Sequence, residues 1–361
     1  MVMKNMPDAG GSMEDISDID ALDVDTVDFP SSWGDCVEAT VVSDDPRLSG
    51  YKVFIVSDTT TFGSHGGSNR LVTMVVDLPR CILPEMNTHR VFSRNSASSR
   101  ARSIRMTIGN VMEHPYVPIF TENQRGMSGG FLHGERLDKA VREWLNARDS
   151  AVVSELSLLL GDRYTGDVSS VRDDWNYWVD DYYNNVYHDE DTKSPSVHKQ
   201  NANRLIEPFM WHEMLITSSY WDNFYKLRIN DAAQPEMHLT ARLMNAAMAE
   251  SESKKSRYHI PFIKVDEDGL KPGSLEDAMM ESATECARIS YKDRSNMDIR
   301  NSSDLAERML RDGHMSPFEH QAVSATKGVS LRGTEGKEGL NGNLSKKWVQ
   351  FRKVMEMRNH D

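Results

Sequence analysis

The chain has few cysteines and no long apolar run, and each shortage excludes a class of protein. Its 361 residues include three cysteines, Cys36, Cys81 and Cys286, which lie far apart and form no C-x-x-C pair. Such spacing supplies neither a disulfide framework nor a zinc or redox motif, and it suits a reducing cytoplasm. No stretch approaches the roughly 20 apolar residues of a membrane span, and the first residues lack the apolar core of a signal peptide. The sequence therefore predicts a cytoplasmic protein without a membrane partner.

Positive charge and the common phosphate-binding motifs are also missing. The formal net charge is −13, which argues against the basic face that nucleic-acid binding requires. Neither a P-loop nor a strand-bound G-x-G-x-x-G occurs. His314 and Glu319–His320 superficially resemble a metalloprotease motif, but Pro317 breaks the helix on which such a motif depends. We predict no nucleic-acid partner and no metal site.

One stretch departs from this acidic composition. Residues 88–105, THRVFSRNSASSRARSIR, hold clustered Arg and Ser side chains and no acid. They follow RLVTMVVDLPRCIL, whose apolar, β-branched run predicts a buried strand. Guanidinium groups bind phosphate oxygens in pairs, and short hydroxyls and backbone N–H groups fill the remaining lone pairs. The stretch is typical of a binding site for a small anion, with a solvated basic loop as the alternative.

The patterning predicts an α+β protein with an antiparallel sheet flanked by helices. Residues 1–33 are Asp-rich and poor in large apolar side chains, which predicts a disordered acidic leader. Within 34–250, three β-like runs separated by short turns predict the sheet, and dense helical spacing follows from residue 197. The aromatic, acidic stretch 167–195 is an insertion that forms either a helix pair or an interface. A connector, 251–273, leads to a last unit, 274–361, which ends in a basic run.

Several separated islands together resemble one enzyme family. The block THRVFSRNSASSRA, residues 88–101, resembles the signature R-H-R-x-x-S-x-N-E-x-S-x-R-Y of the flavin-dependent thymidylate synthases. The matching positions are His89, Arg90, Ser93, Asn95, Ser98 and Arg100. ARISY followed by GHMSPFEH resembles the family's flavin-contacting segment, and NRLIEP and WDNFYKLRINDAAQPE resemble its C-terminal helices. The resemblance covers roughly 70–322.

The order of these islands differs from the family's common form. There the flavin-contacting segment comes first, whereas here it follows the signature and the helices. This order looks like the longer, circularly permuted variant carried by bacteriophages, which would work in the host cytoplasm. Permutation preserves a site when the old termini lie close together at the surface.

The resemblance implies an activity and its co-substrates. The family transfers a one-carbon unit from methylenetetrahydrofolate to C5 of dUMP, with FAD as hydride carrier and NADPH as reductant, to give dTMP. It uses no cysteine nucleophile, and it works as a homotetramer with shared active sites. The expected partners are thus a pyrimidine deoxynucleotide monophosphate, a folate and further copies of the chain.

The resemblance also implies roles for individual residues. Nucleotide binding falls to Glu85, Ser98, Arg100, Arg204 and Arg228. Flavin binding falls to His89, Arg90, Asn223, Ser290, His314, Ser316 and Glu319. Ser98, Arg228 and Arg90 carry the catalytic role, with Ser98 as an orienting donor. Ordinary structural roles are the alternative: Arg204 and Arg228 as helix–helix salt-bridge partners, and His314 as a cation capping a helix C-terminus.

Departures from the family pattern leave two other functions open. Residues that differ from the family are Thr88, Ser96 and Ala101 in the signature, Glu85 in place of Gln, and Thr217 and Ser219 in place of Asn and Arg. A glutamate near the ring favours an amino group, as in cytosine, over a carbonyl. One alternative is therefore a related C5 modification, either hydroxymethylation of dUMP or methylation of dCMP. The other is a nucleotide- or flavin-binding module without turnover.

Overall fold

The fold is centred on a seven-stranded sheet. The computed structural model describes residues 16–31, 34–62, 69–125, 129–187, 197–264, 272–289, 302–326, 331, 333–334 and 338–358. The strands of the large sheet are Val24–Ser31 (β1), Gly34–Val41 (β2), Lys52–Thr60 (β3), Arg70–Pro79 (β4), Ser93–Ser96 (β5), Trp211–Ser218 (β6) and Lys254–Lys255 (β7). Six of them lie in the order β1-β2-β3-β4-β6-β5 with antiparallel neighbours, and β7 pairs in parallel with β3.

Ten α-helices occur in the described ranges. They are Leu83–Asn87 (α1), Ile104–Glu113 (α2), Gly134–Leu160 (α3), Val168–Asn185 (α4), Lys199–Ala202 (α5), Asp222–Arg228 (α6), Pro235–Glu250 (α7), Pro272–Arg288 (α8), Ser302–Arg311 (α9) and Phe351–Arg358 (α10). Local signals fix several starts. The Ser103 hydroxyl caps α2, an Asp167–Ser170 capping box opens α4, and Pro235 begins α7.

A smaller sheet lies in the last third of the chain. Its strands are Tyr258–His259 (β8), Ala322–Ser324 (β9) and Trp348–Gln350 (β10), in the order β10-β9-β8. Apolar side chains of this sheet and of α8, α9 and α10 share one hydrophobic cluster. The described residues of 258–358, which we call the C-terminal part, thus have a core of their own.

Both faces of the large sheet are covered. Helix α7 packs on one face, where Met74 and Ile216 join its buried side chains. On the other face Leu215 meets Phe262 and Cys286, which come from the C-terminal part. Helices α2, α3 and α4 form a third cluster beside the sheet. The predicted α+β class, an antiparallel sheet flanked by helices, is confirmed.

The predicted disordered leader is wrong for residues 16–31. Residues 24–31 form β1, which pairs with β2 along its whole length, and Ile16 and Ile19 are buried in the main core. Composition hid this strand because an edge strand needs few apolar side chains and commonly carries charges. Residues 1–15 lie outside the described residues.

The helical pattern expected from residue 197 onwards is interrupted by a strand. Residues 211–218 form β6, which lies between β4 and β5. The sequence WHEMLITS shows no apolar–polar alternation because seven of its eight residues are buried. Its buried residues include the polar His212, Glu213, Thr217 and Ser218, so neither a period-2 alternation nor a continuous apolar run marks the strand.

The ranges 167–195 and 251–273 both contribute elements to the fold. Within 167–195, the long helix α4 packs against α2 and α3, and residues 188–195 lie outside the described residues. Within 251–273, β7 joins the large sheet and β8 joins the small one. The stretch therefore contributes one strand to each of the two sheets.

Candidate functional site

The basic stretch folds as a short strand between two turns. Strand β5 pairs with β6, so that Arg94 lies opposite Ile216. Side chains alternate along a strand. Ser93 and Asn95 therefore face the C-terminal part, and Arg94 and Ser96 lie on the other face. Consistently, the Asn95 amide donates to the Cys286 carbonyl at 3.2 Å. The signature therefore presents polar groups on both faces of the sheet.

His89 and Arg228 meet directly at the start of this strand. His89 is 8% exposed, and its Nε2 accepts a hydrogen bond from Arg228 Nε at 2.9 Å. Arg228 Nη2 donates to the Thr88 hydroxyl at 3.2 Å, and that hydroxyl donates to the Glu85 carbonyl at 2.6 Å. The ring of Phe224 lies edge-on to the imidazole, with 4.8 Å between centroids. Helix α6 thus brings Arg228 to the signature.

The surroundings keep His89 neutral. Burial, followed by the charges of Arg228 and Arg94, lowers the pKa of His89 to about 4. Because Nε2 accepts from Arg228, the hydrogen-bond pattern assigns the proton of the neutral ring to Nδ1. The cluster therefore combines a neutral imidazole with two guanidinium groups, a set that suits an anionic or acceptor-rich ligand.

Arg94 is a site residue to which the sequence analysis assigned no role. Its guanidinium is half-buried and donates to the Met86 carbonyl at 3.1 Å. Burial lowers the pKa of Arg94, and the nearby Glu319 carboxylate opposes that shift. Arg94 occupies an unspecified position of the family signature, so only its place in the basic stretch pointed to it.

A second polar cluster lies at the other end of β5. His212 Nε2 and the Ser96 hydroxyl are 2.7 Å apart, and His212 Nδ1 lies 3.0 Å from Arg80 Nη1. Arg80 pairs with Glu207 at 2.8 Å, and Arg204 lies 3.7 Å from the same carboxylate. Arg204 is 61% exposed. It therefore makes a local ion pair with a residue three positions further along the chain, not the helix–helix salt bridge considered above, and it remains accessible to a ligand.

The turn after β5 presents Arg100 at the surface. The Ser98 hydroxyl accepts from the Arg100 backbone N–H at 3.3 Å, and the Ser98 carbonyl accepts from the backbone of Arg102 at 3.2 Å. Asn203, just after α5, holds the turn by donating to the Ser99 carbonyl at 2.9 Å. Ser98 and Arg100 thus lie on a braced turn, with the Arg100 side chain exposed.

The segment Ser316–Glu319 reaches the basic stretch within one chain. The 3-10 helix Ser316–Glu319, which we call the SPFE turn, packs against β5. The Glu319 carboxylate forms an ion pair with Arg352, which also pairs with Glu356 at 2.6 Å. Two islands more than 200 residues apart in the sequence therefore meet at the same strand.

Other predicted site residues lie at the surface. Arg90, Asn223, His314 and Ser316 are exposed. In the described ranges no hydrogen bond or ion pair joins His314 or Arg100 to the Arg228 cluster. The His314 backbone N–H donates to the Met309 carbonyl at 2.8 Å, just past the end of α9. This bond involves the backbone and not the imidazole, so the role of a capping cation stays a prediction. Ser290 lies outside the described residues.

A cavity of about 430 Å³ lies beside α6. Asn223 lines it together with Ser219 and Trp221. Arg70, Tyr220, Asp222 and Met248 complete its lining, so the cavity offers both hydrogen-bond donors and acceptors to a ligand. The Thr217 hydroxyl is fully buried and forms hydrogen bonds within the protein, so it does not contribute to ligand binding.

That hydroxyl belongs to a buried chain of polar groups that crosses from one sheet to the other. His320 Nδ1 lies 2.7 Å from Thr217 Oγ1, which lies 2.6 Å from Thr73 Oγ1. Thr73 Oγ1 is 2.8 Å from His259 Nε2, and His259 Nδ1 is 2.9 Å from Thr59 Oγ1. Burial lowers the pKa of both imidazoles to about 3, so both are neutral.

The described part of the chain holds neither a metal-binding cluster nor a membrane-spanning helix. No group of three His, Cys, Asp or Glu side chains gathers there in an arrangement that would hold a metal ion. Within the same ranges, no helix combines the length and apolarity needed to cross a bilayer.

Comparison with known proteins gives structural similarity but no sequence match. No family model and no curated protein sequence matches the chain. Among solved structures, the chain is similar to the crystal structure of the UMP/dUMP methylase PolB from Streptomyces cacaoi bound with 5-Br UMP. The TM-score is 0.34 and the identity 16%, over 51% of this chain and 70% of that chain.

Proposed function

We propose that the chain is a flavin-dependent enzyme that methylates C5 of a pyrimidine nucleotide, converting dUMP to dTMP. Methylenetetrahydrofolate would supply the carbon and NADPH the reducing equivalents. The observation that supports this most is the meeting of the SPFE turn with β5. The signature resemblance and the flavin-segment resemblance are far apart in sequence, yet both segments lie at one strand.

The nucleotide would bind through guanidinium groups. Ser98 and Arg100 on their braced turn suit the phosphate and sugar, and the exposed Arg204 supplies a second cation. Arg228 uses Nε and Nη2 for His89 and Thr88, which fixes its plane and leaves Nη1 for an acceptor on the pyrimidine edge. Glu85 would approach the same ring.

FAD would lie between the signature and the C-terminal part. The residues that would hold it are Asn223 at the cavity, His89, Arg90, His314, Ser316 and Glu319, with Ser290 as a further proposed contact. A bound flavin would supply the hydride chemistry of the reaction. The protein residues bind, orient and exclude water, and the neutral His89 adds an N–H donor without adding charge.

We propose further that the active enzyme is a homotetramer whose sites are shared between copies. Both Arg100 and His314 are exposed, as residues reaching a neighbouring copy would be. Mixing the inactive variants Arg100→Ala and His314→Ala tests this. If the two residues serve one site from different copies, hybrid oligomers regain part of the activity. If they serve it from one copy, mixing restores nothing.

A product assay tests the main proposal. The purified protein is incubated with FAD, NADPH and methylenetetrahydrofolate, with dUMP, dCMP and UMP offered in parallel, and products are identified by mass spectrometry. We expect a methylated product from dUMP, and UMP shows whether a 2′-hydroxyl is tolerated. Rescue of a thymidine-requiring bacterial strain provides the test in cells. Absence of any flavin spectrum and of any product would refute the proposal.

One observation favours a second candidate, methylation of dCMP. Glu85 Oε2 is buried and has no hydrogen-bond partner among the described residues. A carboxylate oxygen accepts from the cytosine amino group and has no donor to offer the uracil carbonyl. A methylated product from dCMP rather than dUMP would select this candidate. A hydroxymethylated product from dUMP would select the other related reaction.

A further inference from the structure

A segment near the C-terminus closes over the signature strand. We call residues 341–352 the C-terminal clasp. The Asn343 amide donates to the Val91 carbonyl at 3.2 Å and to the Ser93 hydroxyl at 3.0 Å. The Gln350 amide in turn donates to Asn343 Oδ1 at 2.7 Å. Two carboxamides therefore hold the first residue of β5 and the residues just before it.

The same segment also grips the SPFE turn. Gln350 Nε2 donates to the Glu319 carbonyl at 3.0 Å, and the Phe351 N–H donates to the Gln321 carbonyl at 3.0 Å. Arg352 then forms an ion pair with the Glu319 carboxylate through Oε1. One side chain, Gln350, thus contacts both parts of the candidate site.

The clasp is itself held in a fixed shape. Gly342 has φ of +58°, and a Cβ at this position would come within 2.1 Å of Gln350 Oε1. Strand β10 pairs with β9, and the side chains of Trp348 and Phe351 are buried. The Ser345 N–H donates to the Ser219 hydroxyl at 2.8 Å, at the rim of the cavity beside α6.

We infer that the clasp is a structural part of the candidate site and that Arg352 is a positioning residue for Glu319. Residues 341–352 lie outside the 70–322 range of the family resemblance, so the inference comes from contacts alone. With Oε1 held by Arg352, Glu319 Oε2 is left to accept from a hydroxyl of the bound ligand. The identity of that ligand as a flavin rests on the proposed function.

A matched pair of variants tests the role of Arg352. Arg352 and Arg358 belong to the same helix and are similarly exposed, at 32% and 28%, but Arg358 pairs with Glu276. FAD binding is titrated by flavin fluorescence, with thermal melting as a check on folding. We expect Arg352→Ala to weaken binding roughly fivefold or more, Arg358→Ala to leave it unchanged, and Arg352→Lys to recover part of it. Equal losses in both alanine variants would overturn the positioning role.

A double-mutant cycle shows whether Arg352 acts through Glu319. If it does, Arg352→Ala adds little to the loss already caused by Glu319→Gln. Additive losses would mean that Arg352 affects the ligand by another route, and the positioning role would be wrong. Glu356→Gln, which removes the other partner of Arg352, should have a smaller effect than Glu319→Gln.

Amide hydrogen exchange of the ligand-free protein tests the clasp independently of flavin. We expect Gln350→Ala to raise exchange over 91–96 and Arg352→Ala to raise it over 316–321, with α7 unchanged as an internal reference. If wild-type protein binds no flavin but the exchange rates rise as described, the proposed function fails and the clasp stands. If exchange is unchanged in both ranges, the clasp inference fails whatever the protein binds.

Discussion

Acid should destabilise this protein through its buried, neutral imidazoles, of which His259 and His320 have lower pKa values than His89. The imidazoles of His259 and His320 are fully buried and neutral, and burial lowers the pKa of each to about 3 from an ordinary value of 6.5. Between those two pH values the unfolded chain binds protons that the native state does not. Stability is therefore complete above pH 6.5 and is lost as the pH falls toward 3.

The size of the effect follows from proton linkage. Each proton taken up only by the unfolded state gives a slope of about 1.4 kcal/mol per pH unit. At pH 5 the two imidazoles together contribute roughly 2.7 kcal/mol per unit. Integrated from pH 7 to pH 4, each removes about 3 kcal/mol, against a total stability of about 5–15 kcal/mol for a typical native protein.

Urea unfolding between pH 4.5 and 7 measures this slope. His320→Gln keeps a hydrogen-bonding group beside Thr217 but does not titrate, so the slope at pH 5 should fall by about 1.4 kcal/mol per unit. The matched control is His114→Gln, the same substitution at an exposed position. Identical slopes for wild type and His320→Gln would refute the assignment of a neutral, buried imidazole.

Three further predictions concern other parts of the chain. Arg228→Ala and Arg100→Ala should each weaken nucleotide binding, measured by calorimetry, roughly tenfold or more, or about 1.5–3 kcal/mol. Arg228→Ala should also raise the pKa of His89 in an NMR titration. Unchanged affinity in both variants would refute the nucleotide site. Burial raises the pKa of Glu155 to about 8 from 4.5, so stability is lost as the pH rises between those values. Glu155→Leu should therefore stabilise the protein at pH 8 by about 1–3 kcal/mol in urea unfolding, and a less stable variant would contradict this. Gly342→Ala should destabilise by about 1 kcal/mol or more because of its positive φ, and an unchanged urea midpoint would show that the backbone there relaxes.

Local patterns were enough to predict the central hairpins and the helical character of the region that holds α7. Strands β2, β3 and β4 alternate or are bounded by turn residues, and α7 has apolar side chains at helical spacing. Strand β6 escaped prediction because it is buried on both faces, and β1 because an edge strand carries little apolar signal. The failures thus fall where burial is decided by distant parts of the chain.

The candidate site divides in the same way. The signature register pointed to His89, Ser98 and Arg100 from sequence alone. The bond from Arg228 to His89 joins residues 139 apart, and the Arg352–Glu319 pair depends on how α10 packs against the SPFE turn. Neither contact has a local signal in the sequence, because partners so far apart are brought together only by the tertiary fold.

The clasp has a consequence for the order of events during synthesis. Asn343 leaves the ribosome 250 residues after Ser93, the hydroxyl that it holds. At elongation rates of about 5–20 residues per second, the large sheet has many seconds to assemble before its signature strand receives this last partner. Loop closure over so long a span is entropically slow, so we expect nascent chains to acquire a folded sheet first and ligand affinity last. A stop codon shortly before Asn343 would then release a molecule with a folded large sheet but without ligand affinity.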